Sequence, residues 1–473
     1  MGKQGQDLPN DRGDRILTSG SVGGHLTALA TPMLGGIFAA VAFNLADTYF
    51  VGQLGETELA AMGFTFPVAT VLTSLALGLG TGLSSVLARA VGAGNTAETR
   101  RVTTDGIVLA LVVVAFIASI GIATIEPLFR LLGADYTVLP LIENYMRIWY
   151  GGMLFLVVPM VGNNAIRAVG NSRLPGLVMI AASIVNIALD PLLIFGLLGL
   201  PRLELQGAAL ATVIARAITL IMALWALGGR MKLLTLERVG LRTVIRSWHR
   251  ILTIGVPAAT TNLIVPITNA IIVAFAAIHG NEAVAGFNVA TRIEFLMVVP
   301  FYALSAIIGP FVGQNLGAGQ RDRIARALRL SAIFCLIWGI ATAVILAIIA
   351  PWLVSLFNNS EPVVTTASLY LWLVPVSFPG VGMVLVANGA LNGLGRPRRA
   401  IIIAILRSVA FYIPLAYLGS KLIGVVGIFT AALLANIVAG AVAYNWNMRA
   451  CTGCSVADAA LAQPAARTSD KFL

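Results

Sequence analysis

Two aspartates stand in stretches of chain that are otherwise apolar, and carboxylates are the side chains best suited to take up and release small cations. Asp47 lies in Asn44-Leu-Ala-Asp47-Thr-Tyr-Phe-Val-Gly52, near the end of the first long apolar run. Asp190 lies in Asn186-Ile-Ala-Leu-Asp190-Pro191, inside another. An acid at bilayer depth costs roughly 2.5–3.5 kcal/mol on insertion scales, so such residues face a cavity or a partner. Two carboxylates facing each other in low dielectric cannot both ionise cheaply; one keeps a proton, or a cation neutralises the pair. Oxygens from Asp47, Asp190, Asn186 and Thr212 would suit a proton or a hard monovalent ion such as Na⁺. The plainer alternative is an isolated, protonated aspartate satisfied by a backbone carbonyl. Only a shared depth distinguishes the two, and depth depends on the helices that carry them.

The 473 residues are 58% hydrophobic and 11% charged, with mean hydropathy +0.91. A soluble domain carries about 25% charged residues, and about twenty consecutive apolar residues span a bilayer. The chain offers apolar runs near 24–50, 59–87, 104–129, 139–163, 174–198 and 206–228, then near 251–278, 283–312, 328–357, 365–391, 399–420 and 424–447. The expected class is an all-α polytopic membrane protein with twelve transmembrane helices. The formal charge of +11 does not imply nucleic acid, because Lys and Arg concentrate in every second loop. Arg89/Arg100/Arg101, Arg167/Arg173, Arg321/Arg323/Arg326 and Arg396/Arg398/Arg399 mark basic turns; Glu56, Asp135, Glu204, Glu282 and Glu361 mark the others. By the positive-inside rule both termini are cytoplasmic, in a bacterial-type inner membrane. The expected division is a tail (1–23), a six-helix lobe (24–229), a basic linker (230–250), a second six-helix lobe (251–449) and a tail (450–473). No secretory signal is expected in the polar residues 1–23.

The halves repeat. A shift of 225 places Pro32 on Pro257, Asn44 on Asn269, Phe50 on Phe275 and Gly92-Ala-Gly94 on Gly317-Ala-Gly319. A shift of 223 places Gly170 on Gly393, Arg173 on Arg396 and Pro191 on Pro414. Parallel six-helix repeats belong to secondary transporters, whose sites lie between the halves. The repeat maps Asp47 onto Ile272 and Asp190 onto Ile413, so the scaffold folds with isoleucine at both positions. At 1.5 Å per residue, Asp47, Asp190 and Thr212 fall roughly 7–12 Å below the outer helix ends, in one stratum of the first lobe. Asn186, one turn from Asp190, extends that stratum inward.

Other polar residues in the runs are substrate or gating candidates: Glu294, Asn163, Asn164 and Asn269, with Phe43 and Met160 as apolar contacts. Against each stands a structural role, as interhelical hydrogen bonding for the asparagines, Asn388 included, and as packing for Phe43 and Met160. Gly78-Leu-Gly80-Thr-Gly82 lacks a preceding strand and the dinucleotide spacing; close helix approach is the better reading. Cys451 and Cys454, without a second pair or nearby histidines, do not read as a zinc site. No cofactor beyond a coupling H⁺ or Na⁺, no nucleic-acid partner and a monomeric state are expected. A membrane-embedded enzyme is disfavoured, because no acid–histidine cluster shares a depth among His25, His249 and His279.

Asp47-Thr-Tyr-Phe-Val-Gly52, Gly92-Ala-Gly-Asn95, Asn171-Ser-Arg-Leu-Pro175, Asn186-Ile-Ala-Leu-Asp190-Pro191 and Gly313-Gln-Asn-Leu-Gly-Ala-Gly319 resemble motifs of the MATE (multidrug and toxic compound extrusion) transporters, over about residues 20–450. The resemblance implies two lobes around a V-shaped cavity, and export of organic cations or other amphipathic compounds against H⁺ or Na⁺. In the branch it most resembles, residues matching Asp47, Asp190, Asn186 and Thr212 form the cation cluster. Another branch carries coupling acids in helices seven and ten; here helix seven has none, and no Asp or Glu occurs between Glu361 and Asp458. Phe43 stands where some relatives have tyrosine. The alternative within the wider superfamily is a lipid-linked sugar flippase, which would need cationic side chains in its cavity; Lys and Arg are sparse inside the apolar runs, with Arg216, Arg292 and Arg407 among the few well inside them.

Overall fold

The chain is described by a computed structural model covering residues 17–237 and 239–452, and no β-strand occurs among them. The expectations for residues 1–16 and 453–473, Cys454 included, lie outside the described residues. Eleven helices are long and apolar enough to cross a membrane; a twelfth span is a pair bent by 45°. They are α1 (Val22–Gly52), α2 (Glu56–Gly92), α3 (Thr96–Ala123), the bent α4 (Leu139–Gly151 with Met153–Ala168), α5 (Arg173–Phe195) and α6 (Glu204–Leu224). The second half has α7 (Leu241–Ala277), α8 (Asn281–Gly317), α9 (Arg321–Ser355), α10 (Glu361–Leu373 with Phe378–Gly393), α11 (Pro397–Ile405 with Ile413–Ile423) and α12 (Val425–Thr452). The two pieces of α11 are joined through a π-helical turn, Leu406–Tyr412. Large side chains such as Phe116, Ile337 and Ile348 lie on the outside, as a lipid-facing surface requires.

Several helices extend past their apolar runs, and two departures have a local reason. The third run breaks at Thr124 and resumes as a short helix, Ile125–Leu131. Pro127 has no N–H to donate back to Ala123 and its ring crowds that carbonyl. In the expected linker, residues 241–250 are the first turns of α7. Arg242, Arg246 and Arg250 recur at i, i+4, which charges one helix face without interrupting the backbone. Trp248 Nε1 anchors those turns on the Asp105 carbonyl at 2.9 Å, and Arg250 pairs with Glu98 at 2.7 Å.

Each half builds a hydrophobic core, and the cores exchange helix ends. Leu26, Leu29 and Met33 of α1 belong to the core of the second half; Ile251 and Ile254 of α7 belong to that of the first. At the end bearing the basic loops, the halves close through small residues. A Cβ on Gly92 would stand 1.9 Å from the Gln314 carbonyl oxygen, and one on Gly317 would stand 2.2 Å from that of Arg89. Across this seam, Gln314 accepts from the Leu17 N–H at 3.0 Å and donates to the Ala168 carbonyl at 2.7 Å, while Ser85 donates to the Asn392 carbonyl at 2.5 Å. Gly78 and Gly82 serve the same purpose deeper in the bundle, facing the carbonyls of Gly255 and Ile251 on α7. Away from the basic end the halves diverge around a cavity.

Candidate functional site

Close helix contacts bring the first-lobe acids to one level. Gly36 of α1 meets the backbone of Gly176 on the parallel α5, and Gly176 in turn faces the Pro32 carbonyl. Eleven residues beyond that contact, about 16 Å along the helix, α1 carries Asp47 within electrostatic reach of Asp190 on α5. α6 runs the other way: Gly207 packs on the Leu193 carbonyl, which brings Thr212 down beside Asn186.

Asp190 is fully buried and Asp47 is 7% exposed. They lie within electrostatic reach of each other, and both reach the Tyr145 hydroxyl on α4. Asn186 completes the group. Its amide nitrogen, turned to Asp190, donates to Oδ2 at 3.0 Å, while its oxygen accepts from the Thr212 backbone N–H at 3.2 Å. In the opposite amide orientation the nitrogen meets Thr212 Oγ1 at 3.3 Å. The first arrangement satisfies both ends of the amide. One oxygen on each aspartate, Oδ1, is buried without a hydrogen-bond partner among the described residues. Unpartnered buried carboxylate oxygens are costly unless a proton or cation joins them, so this donor set fits H⁺ or a hard monovalent ion.

Asp47 also faces the interlobe cavity, about 610 Å³ in volume, with Phe43 and Thr212. Its wall is aromatic and apolar at Phe66, Trp149, Phe295 and Tyr302, and polar at Asn262, Asn388, Arg216 and Arg407. That volume falls within the range of small-molecule sites.

The remaining candidates separate. Phe43 lines the cavity beneath the Arg216 guanidinium, 5.8 Å from its ring centroid. Asn164 is a bracket: it donates to the Met160 carbonyl at 2.8 Å and accepts from Arg167 at 2.7 Å, within the first lobe. Asn163, Met160 and Asn269 do not line the cavity; Asn269 is exposed, and Met160 packs against the first-lobe core. Glu294 lies behind the cavity wall rather than on it, accepting from the Tyr370 hydroxyl. Sequence reading missed the two tyrosines, although the 225-residue offset places Tyr145 on Tyr370; Tyr370 donates to Glu294, and Tyr145 is within electrostatic reach of Asp47 and Asp190.

The MatE family model matches residues 32–192 and 257–418, one segment in each half. The chain is a MATE-family transporter. Members of this family are transporters rather than enzymes, and they handle small organic substrates. Among relatives of this MATE chain is an FAD transporter of Shewanella oneidensis, 39% identical over 435 residues, covering 92% of this chain and 96% of that one. A probable multidrug resistance protein, NorM, of Thermotoga maritima is 24% identical over 415 residues, covering 84% and 85%. The Vibrio cholerae MATE transporter VcmN in the bent form superposes with a TM-score of 0.87 at 31% identity, covering 93% of this chain and 99% of that one. A Pyrococcus furiosus transporter described as having reversed polarity of its binding pocket superposes with a TM-score of 0.85 at 26% identity, covering 94% and 98%.

Proposed function

We propose that this MATE transporter is an antiporter that exports a flavin-type aromatic solute in exchange for H⁺ or Na⁺, with Asp47 and Asp190 as the coupling pair. The observation that carries the coupling is the pair of buried carboxylates, each with an unpartnered oxygen, one of them on the cavity wall. The Shewanella oneidensis relative supports the flavin class, as do the aromatic side chains of a cavity large enough for a flat ring system. In this reading the basic end is cytoplasmic, the membrane is the inner membrane and the working unit is a monomer.

The cycle follows from electrostatics. With both aspartates ionised, their repulsion holds α1 away from α5, to which α6 is tied through Asn186 and Thr212, and leaves the cavity open to solute. A cation bridging Asp47 and Asp190 removes the repulsion, draws the three helices together and shrinks the wall that Asp47 and Phe43 provide. Ion and solute therefore exclude one another, and by linkage the effect is reciprocal. Export then requires the glycine seam at the basic end to part, so that the cavity faces the cytoplasm when it loads solute.

An organic cation is the second reading. Asp47 on the cavity wall and relatives named for multidrug resistance favour it. Counterflow in proteoliposomes separates the two: FAD exchange with no ethidium exchange supports the flavin reading. Ethidium exchange alone returns the substrate to organic cations and leaves the coupling pair intact.

A further inference from the structure

We infer that Arg216 and Arg407, one from each lobe, form a phosphoryl-binding site in the interlobe cavity, and that the exported aromatic solute carries a phosphate or pyrophosphate there. The identity of the solute rests on the flavin reading; the charge requirement does not.

Three charged side chains line the cavity: the acid Asp47 and the bases Arg216 and Arg407. Even with Asp47 ionised, the two guanidinium groups outweigh the single carboxylate and leave the wall net cationic. Neither arginine has a carboxylate within ion-pair distance among the described residues. Arg216 donates no side-chain hydrogen bond there and rests over the Phe43 ring. Arg407 uses one of its five donors, Nε, on Asn436 Oδ1 at 2.7 Å. Asn436 is itself held by donating to Ser377 Oγ at 2.9 Å. The chain Ser377–Asn436–Arg407 fixes the stem of the guanidinium and leaves its two terminal nitrogens without a protein acceptor among the described residues. Glu294 is within electrostatic reach of Arg407 but accepts from the Tyr370 hydroxyl.

The backbone at this point is also unusual. Arg407 sits in the π-helical turn of α11, and such turns are frequent at functional sites because they change which residues face inward. With the 223-residue offset the first-lobe counterpart of Arg407 is Ile184, which lies on the outer surface. A planar fork of free N–H groups in a partly desolvated cavity is the group that recognises phosphate oxygens bidentately. Trp149, Phe66 and Tyr302 on the same wall supply faces for a flat ring. An organic cation gains nothing from either arginine. A pyrophosphate could also arrive on a lipid carrier, but the aromatic wall favours a soluble aromatic ester.

The test compares FAD with riboflavin, which has the same ring and no phosphate, in proteoliposomes of the full chain. It uses wild type, Arg216→Gln, Arg407→Gln, the double variant and Arg407→Lys. The FAD-to-riboflavin transport ratio should fall about tenfold or more in each Gln variant, the worth of a lost charge-assisted hydrogen bond, and recover in part with lysine. Inorganic pyrophosphate should compete with FAD binding to wild type, read by flavin fluorescence, which keeps the test open if a variant fails to fold. A ratio unchanged in both Gln variants, or no competition by pyrophosphate, overturns the site while FAD movement keeps the flavin reading. Binding of a polyprenyl pyrophosphate in vesicles without FAD movement overturns the soluble solute. Ethidium movement without FAD movement overturns the flavin reading itself.

Discussion

The glycine seam at the basic end gives a prediction whose size can be worked from the coordinates. A methyl group on Gly92 would stand 1.9 Å from the Gln314 carbonyl oxygen and 2.7 Å from its Cα, whereas ordinary contact begins near 3.4 Å. Gly92→Ala must therefore push α2 and α8 apart by about 1.5 Å, because backbone on a facing helix cannot rotate away as a side chain can. Overpacking of this kind costs about 1–3 kcal/mol. The penalty falls on the state in which the basic end is closed, so the equilibrium should shift toward basic-end opening by roughly 5–150-fold. The assay is labelling of Thr73→Cys, on the cavity wall, by an impermeant maleimide from the basic side, with Cys335, Cys451 and Cys454 replaced. Gly92→Ala should raise the labelling rate, and Gly317→Ala should do the same because it crowds the Arg89 carbonyl from the other side. Unchanged labelling in a folded variant would show that this seam does not govern access.

Three further outcomes follow from the site. Asp190→Asn should abolish coupled transport while thermal stability holds or rises, since it removes a buried charge beside Asp47; a structural tether would instead lose about 1–3 kcal/mol of stability. In a titration of ion-dependent solute binding, Asp47→Asn, Asp190→Asn and the double variant should be strongly non-additive, the double little worse than either single; additive losses would mean two separate sites. Tyr370→Phe, which releases Glu294 beside Arg407, should change the KM for exported solute and leave ion affinity intact; a collapse of ion affinity would move Glu294 into the coupling machinery.

Much of this was legible in the residues. Predominantly apolar runs of bilayer length gave the helices, and the repeat gave the halves. Gly92 and Gly317, matched by the same offset, turn out to face each other's helices across the seam. Helical rise alone put Asp47, Asp190, Asn186 and Thr212 at one depth, and the helices bring them together. What the residues did not reveal is azimuth. Depth does not say which way a side chain points, so Met160 stands among the cavity candidates although it packs against the first-lobe core. Arg167, read as part of a basic turn, folds back onto Asn164 and Met33. The π-helical turn that carries Arg407 has no local sequence signal, because it depends on packing around α11. Tyr145 and Tyr370 were within reach, because the 225-residue offset pairs them.

The most direct test of the coupling pair is solute-driven ion movement in proteoliposomes, with pH and Na⁺ gradients imposed separately. Wild type should move H⁺ or Na⁺ into the solute-loaded compartment as solute leaves, and an imposed gradient of the same ion should drive solute uphill. The Asp47→Asn, Asp190→Asn double variant should move no ion with solute and should fail to concentrate it. Ion movement that persists at the wild-type ratio in the double variant would contradict the assignment of Asp47 and Asp190 as the coupling site.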